Sequence, residues 1–550
     1  MMRGGELSVW PVAPNVNLQE RIGTVVLERG RSTIGGIDMQ ISSTNTESHT
    51  KLIVGQLDRR PGAVFDLIRD EQRTSIQIDG SYSVIPHGPV LENPLPTVTG
   101  MLPAWLIAGY SFSTYAPDGS VTTVPQTYAD FATATADDIA RPGTIGNNLT
   151  DDETVHAISG GGPIPLDGHT LTVGSGGISS AEIGGGTLQP GQYAGGELIF
   201  IGGNTISADI IDNGGPTSVI FTRGRSSISG NNTYSGTTYV VGTYGDLLQV
   251  NSPNALPTNA DLQISGPAQL WLNDIPGAGT YRLGDVYVRD GGWFTAACCD
   301  PNSTDAVIAN SIHLESGRLS VPLSGDFTVE KTTEGTVNMN YGSPKFRGEI
   351  NIREGTVFVE ADSSARSYLA FGSATVNVER GGRLVLAPSS SGGQAGQSLI
   401  QLNGGVLQGT EVISSGAYNF RGNVEVTENS EVHLQNALND RARSGDFALD
   451  GRVLVHAGKS LVLVGEQGQS SGFQVARGIH LEPGAVLAGV GAVGTEIEIA
   501  NGAVISPGLI TPGNSIGQLN TSGAGTLLIE ESLLLFGSGG RYRWEARLGM

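Results

Sequence analysis

The chain has 550 residues, 81 of them glycine, and a formal net charge of −22, with 53 acidic residues against 31 Lys and Arg. That balance excludes the Lys/Arg surface with which proteins neutralise nucleic-acid phosphates or dock on anionic membranes. Glycine at this level without a strict triplet excludes collagen. The apolar fraction of 38% suits a thin core in which each strand is half exposed.

Met1-Met2-Arg3-Gly4-Gly5 carries a charge but no apolar stretch behind it. No apolar run anywhere reaches the ~18 residues of a membrane span. The expectation is a chain that begins inside a longer one, without its own signal peptide or anchor and without direct membrane insertion. Gly23-Thr24-Val25-Val26-Leu27, Lys51-Leu52-Ile53-Val54 and Gly62-Ala63-Val64-Phe65-Asp66-Leu67 are predicted strands, so 1–100 is assigned to N-terminal β-helix coils. Residues 101–165 differ. Met101 to Ile107 and Tyr110 to Tyr115 form an irregular aromatic coil, and 136–165, polar and rich in Gly and Pro, are predicted as a loose joint.

From 166 to 550 one short unit keeps returning, Gly followed by alternating apolar residues. It appears as Gly317-Arg318-Leu319-Ser320-Val321, Gly335-Thr336-Val337-Asn338-Met339 and Gly348-Glu349-Ile350-Asn351-Ile352. It returns at Gly382-Arg383-Leu384-Val385-Leu386, Gly422-Asn423-Val424-Glu425-Val426 and Gly451-Arg452-Val453-Leu454-Val455. Alternation buries one face of a strand, and Gly is expected to supply the turn before it. One such strand buries little; a stack with a period of ~20–25 residues builds a continuous core. The fold class expected is all-β, a solenoid of stacked strands, with Leu319, Val321, Val337, Ile350, Ile352, Leu384, Leu386, Val424, Val426, Val453 and Val455 facing inward.

Few residues offer chemistry. Cys298 and Cys299 are adjacent, which excludes a disulfide framework; they read as a small apolar pair in a turn, with a vicinal disulfide as the other option. His313, His433, His456 and His480 each sit in a strand near a turn. A ladder of aligned His would bind metal or sense pH, but the plainer reading, His tolerated on half-exposed strand ends, is adopted. Asp137-Asp138 and Asp151-Asp152 lack the context of a glycosidase pair. Gly168-His169-Thr170 is not the Gly-His-Gly of polygalacturonases, and Gly174-Ser175-Gly176 is a flexible turn, not a nucleophile elbow. Calcium-binding nonapeptides, EF-hand loops, Walker loops and dinucleotide fingerprints are absent from the sequence. No catalytic, metal-binding or cofactor-binding residue is assigned.

One block is more specific. Gly230-Asn231-Asn232-Thr233-Tyr234-Ser235-Gly236-Thr237-Thr238-Tyr239-Val240-Val241, followed by Leu247-Leu248-Gln249-Val250, resembles the autotransporter-associated β-strand repeat. It departs from that pattern where Tyr244-Gly245-Asp246 precedes the leucines. A weaker copy spans Gly335 to Val359, with Asn340-Tyr341 and Phe346-Arg347-Gly348 in place of the Tyr-x-Gly core. Val504-Ile505-Ser506-Pro507-Gly508 and Thr511 to Leu519 are similar to a segment near the end of such passengers, and Gly195 to Phe200 with Ile206 to Gly215 to the coils before the repeat. The arrangement is similar to large surface proteins of planctomycete-type bacteria.

The resemblance implies a right-handed single-stranded parallel β-helix, extracellular or at the cell surface and associated with the outer membrane. The function expected is non-enzymatic, a rigid rod for adhesion or envelope structure, with surface polysaccharide or another cell's surface as partner and no nucleic acid. The alternative is a polysaccharide lyase or hydrolase on a parallel β-helix, which would cluster carboxylate, Arg and aromatic residues on one face. Asn231, Asn232 and Asn514 are either corner ladders or ordinary turn residues. Leu533 to Glu545 reads as strand, turn and strand before the chain stops at Met550. That stop suggests truncation, an open last edge and end-to-end self-association.

Overall fold

The computed structural model describes residues 1–9, 18–41, 46–48, 50–67, 82–87, 89–125, 127–143, 147–273, 280–296, 306–340, 342–343, 345–359, 371–386, 398–409, 420–434, 447–464, 472–493, 497–507, 527–529, 534–536 and 541–542. Cys298, Cys299, Asn514, the segment 508–526 and most of the stretch after Phe536 lie outside the described residues, and with them the expectations placed there. The protein is nearly all β, with long parallel sheets and no α-helix among the described residues. Two compact units divide the chain, Met1–Ala297 and Cys298–Met550.

In the first unit, residues 1–124 mix parallel and antiparallel pairing. Leu18–Leu27 runs parallel to Thr50–Arg59, while Arg31–Ile41 pairs antiparallel with Tyr82–His87. Ser111–Tyr115 and Val121–Thr123 form a hairpin. Its turn is local chemistry: the Asp118 carboxylate accepts from the Ser120 backbone N–H at 3.0 Å and from its hydroxyl at 2.7 Å, and Gly119 takes φ 81°. A tight turn of this kind reverses the chain, so this portion is not made of parallel coils alone.

The stretch 101–115 packs on two sides. Leu102, Leu106 and Ala108 join Leu27, Leu52 and Phe65 in one core. Met101, Ala104, Ile107 and Phe112 join Ile199, Ile201, Ile220 and Val241 in another. It is therefore the seam along which the N-terminal strands cover the parallel strands that follow. Burial on both faces explains why Glu197–Ile201 is buried at every position.

The parallel ladder starts at Ala129–Asp130, and Ile139–Arg141, Ala157–Ser159 and Pro163–Pro165 continue it within the segment expected as a loose joint. The polar residues there close turns. The buried Asn147 side chain accepts from Gly143 N at 2.9 Å and donates to Gly143 O and Pro163 O at 2.7 and 2.8 Å. From here pairing is parallel and in register. Ile158 lies beside Ile178, then Phe200, Phe221, Val240, Ile264 and Val288, all buried. The Phe200 and Phe221 rings stack at 4.9 Å.

The second unit repeats the arrangement. Ile312, Val329, Ile350, Val376, Ile400, Val424, Val453, Ile479 and Ile497 form one buried line of register partners. All the residues expected to face inward are buried, from Leu319 to Val455. Full burial of such a side chain contributes about 1.5–3 kcal/mol. The glycine that opens the repeat takes a positive φ at Gly317, as expected of a turn, but has another role at Gly348 and Gly451. Gly348 and Gly451 do not have positive φ. Instead, a Cβ there would collide with the carbonyl oxygen of Phe327 or Gly422 on the preceding strand's approach. Close backbone contact, not turn conformation, selects glycine at these two positions.

Candidate functional site

The corner between Arg225–Ile228 and Thr238–Val241 carries the Asn-Thr-Tyr-Ser-Gly block, and each residue has a physical task there. Gly230 and Gly236 sit where a Cβ would strike Ala208 O and Thr217 O. The buried Asn232 side chain accepts from Ile210 N at 2.8 Å and donates to Ala255 O at 2.6 Å, tying the preceding strand Asp209–Ile210 and the following corner at Pro253–Ala255 to this one. Tyr234 is fully buried; its hydroxyl pairs with Thr238 Oγ1 at 2.6 Å, and burial pushes the phenol up. Asn231 and Ser235 are anchored through their backbone N–H groups to Asp209 and Asp212 at 2.7 and 2.9 Å. Asn232 and Tyr234 thus point in, while Asn231, Thr233 and Ser235 point out. The aromatic-x-Gly corner recurs in the second unit at Phe346-Arg347-Gly348, where Phe346 is fully buried.

The outward residues of this corner, with Asn254, Leu256, Pro257, Thr258, Asn259 and Ala260, line a groove of about 520 Å³. Leu256, Pro257 and Ala260 are buried and form an apolar floor. The side chains of Asn231, Thr233, Asn254, Thr258 and Asn259 are exposed and make no hydrogen bond among the described residues. The lining contains amides and hydroxyls and, apart from the buried Tyr234 phenol, no titratable acid or base among the described residues. Such a surface can hold a ligand by hydrogen bonds but offers no group that moves a proton near neutral pH.

The His residues do not converge. His313 and His480 stand on one outward line of the second unit, which runs His313, Glu330, Asn351, Asn377, Gln401, Glu425, Leu454, His480 and Glu498. Its middle is a side-chain ladder: Asn377 donates to Asn351 Oδ1 at 2.7 Å and Asn351 to Glu330 Oε1 at 2.9 Å. His480 pairs with Glu498 at 2.7 Å, and His456 lies 3.3 Å from Glu482. His433 is on another line, between Glu431 Oε2 at 2.7 Å and the Arg383 guanidinium at 3.3 Å. The hydrogen bond and charge of His433, with Arg383 adding to them, hold the Glu431 carboxyl below its usual range. Arg383 also donates to Gln408 Oε1 at 2.6 Å, so this cluster satisfies itself. Among the described residues, no three His, Cys, Asp or Glu are placed to hold a metal.

The remaining candidates are spread out. Asp138 accepts from Thr135, whose hydrogen bonds lower its carboxyl. Asp152 caps Thr170 N at 2.8 Å and lies 3.9 Å from His169. Ser175 is buried and donates to His156 O at 2.7 Å.

Two polar clusters were not legible from motifs. Lys331 occupies an inward position beside Leu314 and Ile352 and is fully buried. Its ammonium donates to Thr333 O and, at 3.0 Å, to Glu354 O. Burial brings it down to about 8. The signal was present, since Val329-Glu330-Lys331 puts Lys on the apolar phase. The second cluster joins Arg31 and Asp66 of the N-terminal strands to Arg223 and Asp246. Asp246 belongs to the insertion that departs from the repeat pattern; it also caps Gly224 N and Thr243 N at 2.7 and 2.8 Å. Comparison of the chain with family models, with curated proteins and with solved structures finds no match.

Proposed function

We propose that the chain is a surface-displayed, non-enzymatic passenger-type protein of the autotransporter-associated repeat kind. The parallel strands of each unit then wind as a right-handed single-stranded β-helix, and each presents a stiff polar rod outside the cell for adhesion or envelope structure. The observation that carries this reading is the parallel pairing of successive strands after Thr123 in the first unit and through the second. The second unit has an aliphatic line inside and an Asn, Gln and Glu line outside, and the first has the Asn-Thr-Tyr-Ser-Gly corner. Such a stack grows by adding strands and needs no cofactor to close its core. The net charge of −22 keeps a repetitive strand protein soluble and resists sticking between chains. Arg383, His433, Glu431 and Gln408 bond to one another, which counts against this cluster as the acid–base pair of the hydrolase alternative.

The test is protease treatment of intact cells of the source organism, followed by detection of this chain in lysates. Loss of the chain while cytoplasmic markers survive is expected. Protection until the cells are broken overturns surface display.

A further inference from the structure

We infer that the groove between the Asn231–Ser235 corner and the Asn254–Ala260 corner is a binding site for a neutral polysaccharide chain. Its volume, about 520 Å³, falls within the range of sites for small ligands, ~300–1,000 Å³, and accommodates one or two sugar rings. Five exposed side chains, Asn231, Thr233, Asn254, Thr258 and Asn259, offer both donors and acceptors that no described residue uses. Each sugar hydroxyl also donates and accepts, so amides and hydroxyls match it without a charge. The buried Leu256, Pro257 and Ala260 supply an apolar floor for the C–H face of a ring.

The corner is also held in place before any ligand arrives. Asn232 ties it to the strand before and the corner after it, Tyr234 plugs it from within, and Gly230 and Gly236 permit the close backbone approach. Pre-ordering of this kind lowers the entropy lost on binding. Charge narrows the ligand class. Asp209 and Asp212 lie directly behind the corner, bonded to Asn231 N and to Ser235, and no cation lines the groove. Uronate, sulfated or phosphorylated chains are therefore repelled, while neutral glucans, mannans and xylans are not. Tyr234 is buried, so recognition is by hydrogen bonding and not by ring stacking, and each site is weak, with a Kd on the order of millimolar.

This inference deepens the surface-display reading and rests on it for access to glycan in the cell, but its test does not. The purified full chain is run by native electrophoresis through gels containing hydroxyethyl cellulose, galactomannan, soluble xylan or polygalacturonate. Retardation by at least one neutral polymer and none by polygalacturonate is expected. The double variant Thr233→Val, Thr258→Val keeps the groove's shape and removes two hydroxyls; it should weaken retardation about tenfold, and Asn231→Ala with Asn254→Ala should do the same. Thr205→Val, exposed and outside the groove, should run as wild type with unchanged circular dichroism. No retardation by any neutral polymer, equal retardation by polygalacturonate, or retardation that survives both groove variants each overturns the proposal. Protease treatment of intact cells is scored separately, so loss of one reading is not mistaken for loss of the other.

Discussion

Asp66 and Arg223 are 157 residues apart in the chain, yet Arg223 Nε donates to Asp66 Oδ2 at 2.7 Å, and their side chains are 1% and 3% exposed. Asp66 Oδ1 also accepts from Gly109 N at 3.1 Å, and the guanidinium lies over the Tyr110 ring at 5.2 Å. Arg31, 3.1 Å from Asp246, balances the pair, so two cations and two anions share one buried place. Arg223 has φ 55°, a conformation that is unfavourable outside glycine and that the surrounding contacts hold. This cluster fixes the N-terminal strands on the parallel strands at the seam where Phe112 packs against them.

Removing one partner leaves the other buried and uncompensated. Asp66→Ala and Arg223→Ala should each destabilise the first unit by about 3–5 kcal/mol in urea unfolding. The double variant should lose clearly less than the sum of the two. Full additivity would mean that the two groups do not interact.

Lys331 gives a pH dependence with a defined sign. Its folded pKa of about 8 lies below the unfolded value of roughly 10.4. Between those values the unfolded chain binds the extra proton, so this residue's contribution to stability rises with pH across the window. Below about pH 8 the burial penalty is felt in full. The stability of wild type minus that of Lys331→Met should climb by on the order of 2–3 kcal/mol from pH 8 to 10.5. A flat difference would show that the ammonium is not desolvated.

Corner glycines separate close approach from turn conformation. Gly236→Ala drives a methyl into Thr217 O and should cost about 1–3 kcal/mol, whereas Gly215→Ala, with nothing within 4 Å of the new atom, should be near neutral. Equal effects in thermal unfolding would remove the steric explanation of the motif.

Alternation within one strand is tested by neighbours. Ile350→Ala removes a fully buried side chain and should cost about 2–5 kcal/mol. Asn351→Ala, on the outer line, removes the hydrogen bond to Glu330 and the one accepted from Asn377, both half-exposed, and should cost about 0.5–1.5 kcal/mol. The reverse order would place the core on the other face.

Much of the β architecture was readable because a period of two leaves little freedom: once Ile350 and Ile352 face in, Asn351 must face out. The Asn-Thr-Tyr-Ser-Gly block was visible as a pattern, though not that Asn232 and Tyr234 build the corner while Asn231 and Thr233 line a groove. That division depends on the neighbouring corner at Asn254–Ala260, which no local pattern joins to it. The Arg31, Asp66, Arg223 and Asp246 cluster was invisible for the same reason, since its members meet only after the N-terminal strands fold onto the sheet. The strands within 136–165 were not legible, because Gly, Pro and Asn mark tight turns between short strands as readily as linkers.

The central proposal is that the parallel strands of the chain wind as a right-handed β-helix. An experimental structure of the full chain tests it most directly. The account predicts right-handed turns in which Ile350, Val376, Ile400 and Val424 lie one beside the next in the interior, with Asn351 and Asn377 hydrogen-bonded on the outside. Left-handed turns, antiparallel pairing of these strands, or a register that moves Ile350 away from Val376 would contradict it.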